Sequence, residues 1–105
     1  MITAKVVKKQ GRYYSFSCSG HAEYDDYGKD IVCAAVSMIV INTANAIDSL
    51  TDNELMASKE SAISWEFKNI PDEKAELLMD AMLLGLDEIC KKYGNEYLRL
   101  MIEEV

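Results

Sequence analysis

Two stretches near the start of the chain alternate between apolar and polar side chains. Residues 2–7 alternate first, and residues 13–19 do so again after a break at Gln10 and Gly11. A period of two residues is typical of a strand with one buried face, and a glycine between two such runs favours a tight turn. The pattern therefore predicts a β-hairpin, which a polar and acidic loop over residues 22–29 follows.

A long helix is predicted from Asp30 onward, because apolar residues recur there at helical spacing. The opposite face is also apolar, through Ala34, Met38 and Ile41. A helix that is apolar nearly all round is buried on several sides. We expect it to pack on the sheet and also on a second helix or another subunit, with Met38 and Ile41 at a subunit contact. The predicted buried stripe comprises Val32, Val36, Ile39, Thr43, Ile47 and Leu50.

The rest of the chain predicts a strand, a second helix and a final strand. Residues 52–60 are expected to form a loop, and residues 63–68 alternate as a strand does. Pro71 opens the second helix, Gly94 ends it, and residues 98–103 alternate again. The order ββαβαβ predicts an α+β fold: a single two-layer domain of all 105 residues, with two helices on a mainly antiparallel sheet.

Charge and composition narrow the classes of function. The chain has 11 basic and 18 acidic side chains, a formal net charge of −7. Nucleic-acid binding depends on cationic side chains at phosphates, so we expect a basic protein partner and no direct nucleic-acid partner. No signal peptide is expected, because residues 1–5 lack an apolar h-region, and no membrane partner is expected, because the longest apolar stretch, residues 31–41, is too short to span a bilayer. Three cysteines without a C-x-x-C pair favour the reducing cytoplasm.

Cys33 and His21 are the candidate reactive pair. Cys33 lies in the first turn of the predicted helix, whose N-terminus favours the nucleophilic thiolate. His21, the single histidine, ends the second strand, and the following loop can bring the two side chains together. Backbone N–H groups near the helix start would then stabilise an oxyanion. The plainer interpretations are a core thiol and a surface histidine, and Cys18 and Cys90 are predicted to be core residues.

Asp30 has two candidate roles. It can cap the helix by accepting the backbone N–H of Cys33, or it can orient the His21 imidazole as the third member of a triad. The spacing favours the cap, so Asp30→Asn is expected to keep the cap and most of the activity. The other three carboxylates of the loop do not have the spacing of an EF-hand, so neither a metal nor a cofactor is expected.

Three segments around these residues form one motif block. Residues 20–22 have the sequence GHA, residues 27–37 have YGKDIVCAAVS, and residues 42–47 have NTANAI. This block resembles the ribosomal-processing cysteine proteases called Prp, which were formerly a family of unknown function. The resemblance implies a cytoplasmic cysteine endopeptidase that removes a short N-terminal extension from large-subunit ribosomal protein L twenty-seven.

The resemblance also implies roles for individual residues. It makes Cys33 the nucleophile and His21 the catalytic histidine, with Asp30 and Ser37 as supporting residues. It further implies a homodimer, a substrate with apolar and aromatic residues beside the cut, and a mobile loop over the site at residues 22–29. The candidate substrate contacts in that loop are Tyr24, Tyr27 and Gly28.

Two other classes of function are open to the same sequence. One is a non-catalytic acidic dimer that acts as a binding module or chaperone for a ribosomal protein; it leaves Cys33 and His21 without a role. The other is a metal-dependent hydrolase that uses His21 and the loop carboxylates, which full activity in a chelator would exclude. Faster alkylation of Cys33 than of Cys18 and Cys90 would distinguish the protease from the binding module.

Overall fold

Three segments make up the described part of the chain. The structure is a computed structural model that describes residues 1–26, 30–57 and 63–105. Two of the candidate substrate contacts, Tyr27 and Gly28, lie outside the described residues and stay predictions.

A β-hairpin opens the fold, as the alternating pattern predicts. Strand β1, Ile2–Lys9, pairs antiparallel with β2, Arg12–Ser19. Gln10 and Gly11 form the turn with φ of 52° and 77°, the left-handed conformation that a two-residue hairpin turn favours. The hairpin leads directly into the segment that carries His21.

Two helices account for the longer apolar patterns. Helix α1 spans Ile31–Leu50 and begins after Asp30, whose carboxylate accepts two backbone N–H groups of the first turn. Helix α2 spans Glu73–Tyr93; Asp72 caps its start in the same way, and Gly94 ends it with a φ of 109°. Both helices therefore begin at a carboxylate cap, and only the second ends on a glycine.

Helix α1 as a whole is longer than the apolar stretch of residues 31–41 considered in the sequence analysis. By length and composition alone it could cross a membrane, because its 20 residues are apolar enough on average even though polar residues follow residue 41. In the fold it is a core helix, although Leu50, predicted to be buried, is 69% exposed at its end. Its fully buried side chains are Val32, Val36, Val40 and Ile47.

One sheet of five strands collects the remaining elements. Strands β3 (Leu55–Ala57), β4 (Ile63–Phe67) and β5 (Leu98–Glu104) complete the order β3-β4-β2-β1-β5. Three neighbouring pairs are antiparallel, and β5 runs parallel to β1. The predicted α+β class, with two helices on a mainly antiparallel sheet, is confirmed. The prediction of a loop over residues 52–60 is wrong at β3, since three residues are too few to show an alternating pattern.

The register of the strands determines which segments meet at one end of the sheet. Thr3 of β1 lies opposite Ser19 of β2, and Ile2 lies opposite Leu98 of β5. The end of β2 and the starts of β1 and β5 therefore share one edge of the molecule. The core beneath this register includes Ala4, Val6, Phe16, Cys18, Trp65, Met79, Met82 and Leu86.

Candidate active site

Gly20 directs the chain out of β2 and toward α1. Its φ is 87°, and a Cβ at this position would overlap the backbone oxygen of Met1. Glycine alone accommodates both the left-handed conformation and the close approach of a neighbouring backbone. His21 and Ala22 therefore follow directly at the end of the sheet.

A hydrogen bond joins this segment to the predicted nucleophile. The backbone N–H of Ala22 donates to Cys33 Sγ at 3.2 Å. The side chain of Ala22 is only 2% exposed, so the core holds this part of the backbone, and Cys33 is half-buried. The residue next to His21 is therefore in contact with the sulfur of Cys33.

His21 itself is exposed. Within the described residues its imidazole makes no hydrogen bond to Cys33 or to Asp30. His21 and Cys33 are therefore brought into the same region by the Ala22 contact, but their side chains are not hydrogen-bonded to each other. Ser37 lies one helical turn beyond Cys33 and is half-buried.

Asp30 uses both oxygens of its carboxylate. Oδ1 accepts the N–H groups of Val32 and Cys33 at 3.0 Å each, and Oδ2 accepts the N–H of Tyr24 at 2.9 Å. Burial raises the pKa of this carboxyl, but backbone hydrogen bonds from these three residues and from Asp25 lower it by more, so the pKa lies below its ordinary value. The side chain therefore caps α1 and also fixes the loop that precedes it, a second function that the spacing did not indicate.

Three tyrosine rings converge beside this cap. The ring of Tyr24 contacts Tyr93 and Tyr97 edge-on, with centroids 5.5 and 5.0 Å away, and remains 40% exposed. The charge of Glu96 and then burial raise the pKa of Tyr97, with smaller contributions that include the charge of Asp30. Neither Tyr93 nor Tyr97 is assigned to the site in the sequence analysis. No local pattern connects three positions that come from three different segments.

The other two cysteines lie in less reactive surroundings. Cys18 is buried; burial and the nearby charge of Cys33 raise the pKa of its thiol to about 11. Cys90 is half-buried and donates to the carbonyl oxygen of Leu98 at 3.3 Å. Burial raises the pKa of Cys90 as well. In the described segments, no group of three or more His, Cys, Asp or Glu side chains could hold a metal ion.

A cleft of about 900 Å³ lies at the opposite end of the sheet. It is lined by the hairpin turn and by the residues that precede α2, Gln10 and Pro71 among them. Cys33 and Asp30 are not among the residues that line it. This cleft therefore does not include the site of Cys33.

Comparison with known proteins identifies the family. The model of the family described as cysteine protease Prp matches residues 1–98. The chain belongs to the Prp family. The ribosomal processing cysteine protease Prp of Staphylococcus aureus is 31% identical to it over 104 residues, which are 95% of this chain and 97% of that protein.

Two solved Prp structures are similar over almost the whole chain. One is an essential ribosomal processing protease Prp from S. aureus in complex with a covalently linked product peptide. It has a TM-score of 0.86 and 29% identity and covers 98% of this chain and 100% of that chain. The other is the same protease in complex with a substrate peptide, with a TM-score of 0.76, 28% identity and coverage of 98% and 100%. The resemblance inferred from the motif block is confirmed, and this Prp-family chain is a cysteine-type peptidase.

Proposed function

We propose that this chain is a cytoplasmic endopeptidase that removes the N-terminal extension from a precursor of large-subunit ribosomal protein L twenty-seven. The observation that carries the proposal is the hydrogen bond from Ala22 to Cys33 Sγ, which holds the thiol of the first turn of α1 next to the segment of His21. The net charge of −7 supports a basic substrate, because opposite charges favour the encounter. Three free cysteines support a reducing compartment.

Cys33 acts as the nucleophile and His21 as the general base. His21 takes the thiol proton, the C–S bond forms at the scissile carbonyl, and the π electron pair moves onto the carbonyl oxygen. When the C–N bond breaks, His21 returns the proton to the leaving amine, and a thioester remains on Cys33. Water that gives its proton to His21 then attacks the thioester and releases the extension and the free thiol. The relative with a covalently linked product peptide supports a covalent route.

His21 completes the site when substrate binds. Its side chain is exposed, and catalytic hydrogen bonds often tighten only in the complex. Rotation of the exposed side chain would bring the imidazole to Cys33 while the Ala22 backbone stays in place, and the predicted closure of the loop over the site would exclude water. Part of that loop lies outside the described residues, so its closure stays a prediction.

Tyr24 forms one wall of the substrate site in this proposal. Its backbone is fixed on Asp30 and its ring on Tyr93 and Tyr97, yet the ring keeps a large exposed surface. A rigid aromatic surface of this kind suits an apolar or aromatic side chain of the extension. Ser37 stays a predicted supporting residue one turn below the nucleophile.

The same enzyme is proposed to work as a homodimer. Met38 and Ile41 of α1 are 68% and 46% exposed, and Leu84 of α2 is also exposed. Gly85 of α2 approaches Ile39 of α1, so these exposed apolar side chains lie on neighbouring helices that are already in contact. A second copy of the chain would cover this face.

Product masses from the ribosomal-protein precursor test the proposed function. The unmodified chain should release the extension and the mature protein, and Cys33→Ala should release neither. His21→Ala should lose most of its turnover and keep its binding of precursor, whereas the control Cys90→Ala should cleave. Cleavage by Cys33→Ala would refute the nucleophile, and an equal loss of binding and turnover in His21→Ala would make the histidine structural.

A further inference from the structure

The backbone N–H groups at the start of α1 are already committed. Val32 and Cys33 donate to Asp30 Oδ1 at 3.0 Å, and Ala34 donates to the backbone oxygen of Asp30 at 3.1 Å. A donor that is bound to a carboxylate or to a helical carbonyl is not free to stabilise a new negative charge. The expectation that N–H groups near the helix start stabilise the oxyanion is therefore wrong for these three groups.

A different backbone donor lies at the reacting atom. The N–H of Ala22 points at Cys33 Sγ from 3.2 Å. When the sulfur attacks a carbonyl carbon, the new negative charge develops on the oxygen of that same carbon, next to the sulfur. We propose that the Ala22 N–H is an oxyanion donor of this protease, which holds the sulfur before attack and the carbonyl oxygen after it. This inference rests on the proposed function of Cys33 as the nucleophile.

The Ala22 amide is fixed from both sides before any substrate binds. Gly20 holds the preceding turn against Met1, and the side chain of Ala22 is buried. Glu23 has a φ of 59°, an uncommon conformation for a residue with a side chain, and the next N–H, that of Tyr24, is bound by Asp30. A donor in a rigid backbone needs no reorganisation when the charge develops, which is the condition for strong stabilisation of a transition state.

Replacing this one amide by an ester tests the proposal directly. A synthetic segment of residues 1–32, with lactate in place of Ala22, can be ligated to a recombinant segment that begins at Cys33. The ester removes the N–H and leaves the methyl group. We expect kcat to fall about 100-fold, as for other oxyanion donors, and the inhibition constant of a peptide aldehyde to rise by a similar factor. Binding of the uncleaved peptide should not change.

Two ligated chains serve as controls for the ester. One has amides throughout, and the other has its ester at Gly11, in the hairpin turn at the opposite end of the sheet. Both should retain full kcat. An unchanged kcat in the Ala22 ester chain would overturn the proposal, and so would a loss of peptide binding as large as the loss of kcat, because the amide would then bind the ground state. Failure of the all-amide chain to cleave any precursor would instead refute the proposed function.

A second measurement uses the recombinant protein and tests the proposal even if the Ala22 ester chain does not fold. In the adduct between Cys33 and a peptide aldehyde, the oxygen occupies the position of the oxyanion. The amide proton resonance of Ala22 should move downfield when this adduct forms, and that of Gly11, in the distant hairpin turn, should not. An Ala22 resonance that stays in place in the saturated adduct would overturn the proposal.

Discussion

Asp30→Asn separates the two functions of one carboxylate. Oδ1 caps α1, and Oδ2 binds the N–H of Tyr24. Asparagine caps a helix about as well as aspartate, because its single oxygen accepts the same N–H groups. Its NH₂ group, however, cannot accept the N–H of Tyr24. The substitution should therefore leave the helix start intact and release the loop that carries Ala22.

The size of the effect follows from the lost hydrogen bond. A hydrogen bond to a charged acceptor contributes about 1.5–3 kcal/mol. This hydrogen bond is only partly buried, so water replaces part of it, and we take a loss of about 1.4 kcal/mol for the anchored loop. That loss lowers the ratio of correctly placed to released loop about tenfold, so kcat/KM should fall by up to about tenfold. The structure thus changes the expectation from spacing alone, which was that Asp30→Asn keeps most of the activity.

The assay pairs peptide cleavage with urea unfolding. Asp30→Asn should lose kcat/KM with a loss of unfolding free energy of about 1.4 kcal/mol at most, the contribution of the loop hydrogen bond, whereas Asp30→Ala should lose the cap as well, about 1 kcal/mol more. Asp72→Asn is the matched control, since it makes the same change at the cap of α2, where the carboxylate accepts the N–H of Ala75. Full activity of Asp30→Asn would refute the loop anchor. A folded Asp30→Asn as inactive as Cys33→Ala would make the carboxylate a triad member.

The pH dependence of stability gives a second readout of Asp30. Its pKa in the folded protein lies below the ordinary value, so the ionised carboxylate stabilises the fold above about pH 4 and ceases to do so as the pH falls further. The unfolding free energy of Asp30→Asn should accordingly decrease less on acidification than that of the unmodified chain. Equal decreases would mean that the hydrogen bonds to Asp30 do not favour its ionised form.

Three further predictions concern thiols, a glycine and assembly. Cys18 has a pKa of about 11, so about 0.1% of it is thiolate at pH 8. Iodoacetamide should therefore label Cys33 much faster than Cys18, which peptide mapping can measure. Equal labelling rates would argue against a reactive Cys33. Gly20→Ala should lower the urea midpoint of unfolding and the activity more than Gly11→Ala does. A Cβ at Gly20 would meet the backbone of Met1, whereas a Cβ at Gly11 would meet no atom within 4 Å beyond its chain neighbours. Equal losses of stability and activity in the two variants would contradict this prediction. Met38→Glu should convert a dimer mass in solution into a monomer mass, and a monomer of the unmodified chain at micromolar concentration would count against the dimer.

Local patterns predicted most elements of the fold. The alternating strands and the apolar helices are recognisable because a single buried face repeats along each of them. The cap at Asp30 follows from its spacing to the first turn, whereas the second helix was expected to open at Pro71 and begins after the cap at Asp72. Strand β3 was missed because three residues that pair only with β4 carry no period of their own.

The candidate site was predictable in its residues but not in its contacts. Cys33 and His21 can be recognised in the sequence because a thiol and the single imidazole flank the same loop. The second hydrogen bond of Asp30, the contact of Ala22 with Sγ and the meeting of Tyr24 with Tyr97 join segments that are remote in sequence or turned by Gly20. Such contacts depend on the whole fold, so a single sequence does not contain a local signal for them.

The most direct test of the central claim is the mass of the chain during turnover. If Cys33 attacks the scissile carbonyl, acid quenching within the first turnover should trap a thioester whose added mass is that of the acyl part of the extension. Peptide mapping should place this mass on the segment that contains Cys33, and Cys33→Ala should not acquire it. Cleavage of the precursor with no such adduct, or with the adduct on another residue, would contradict the account.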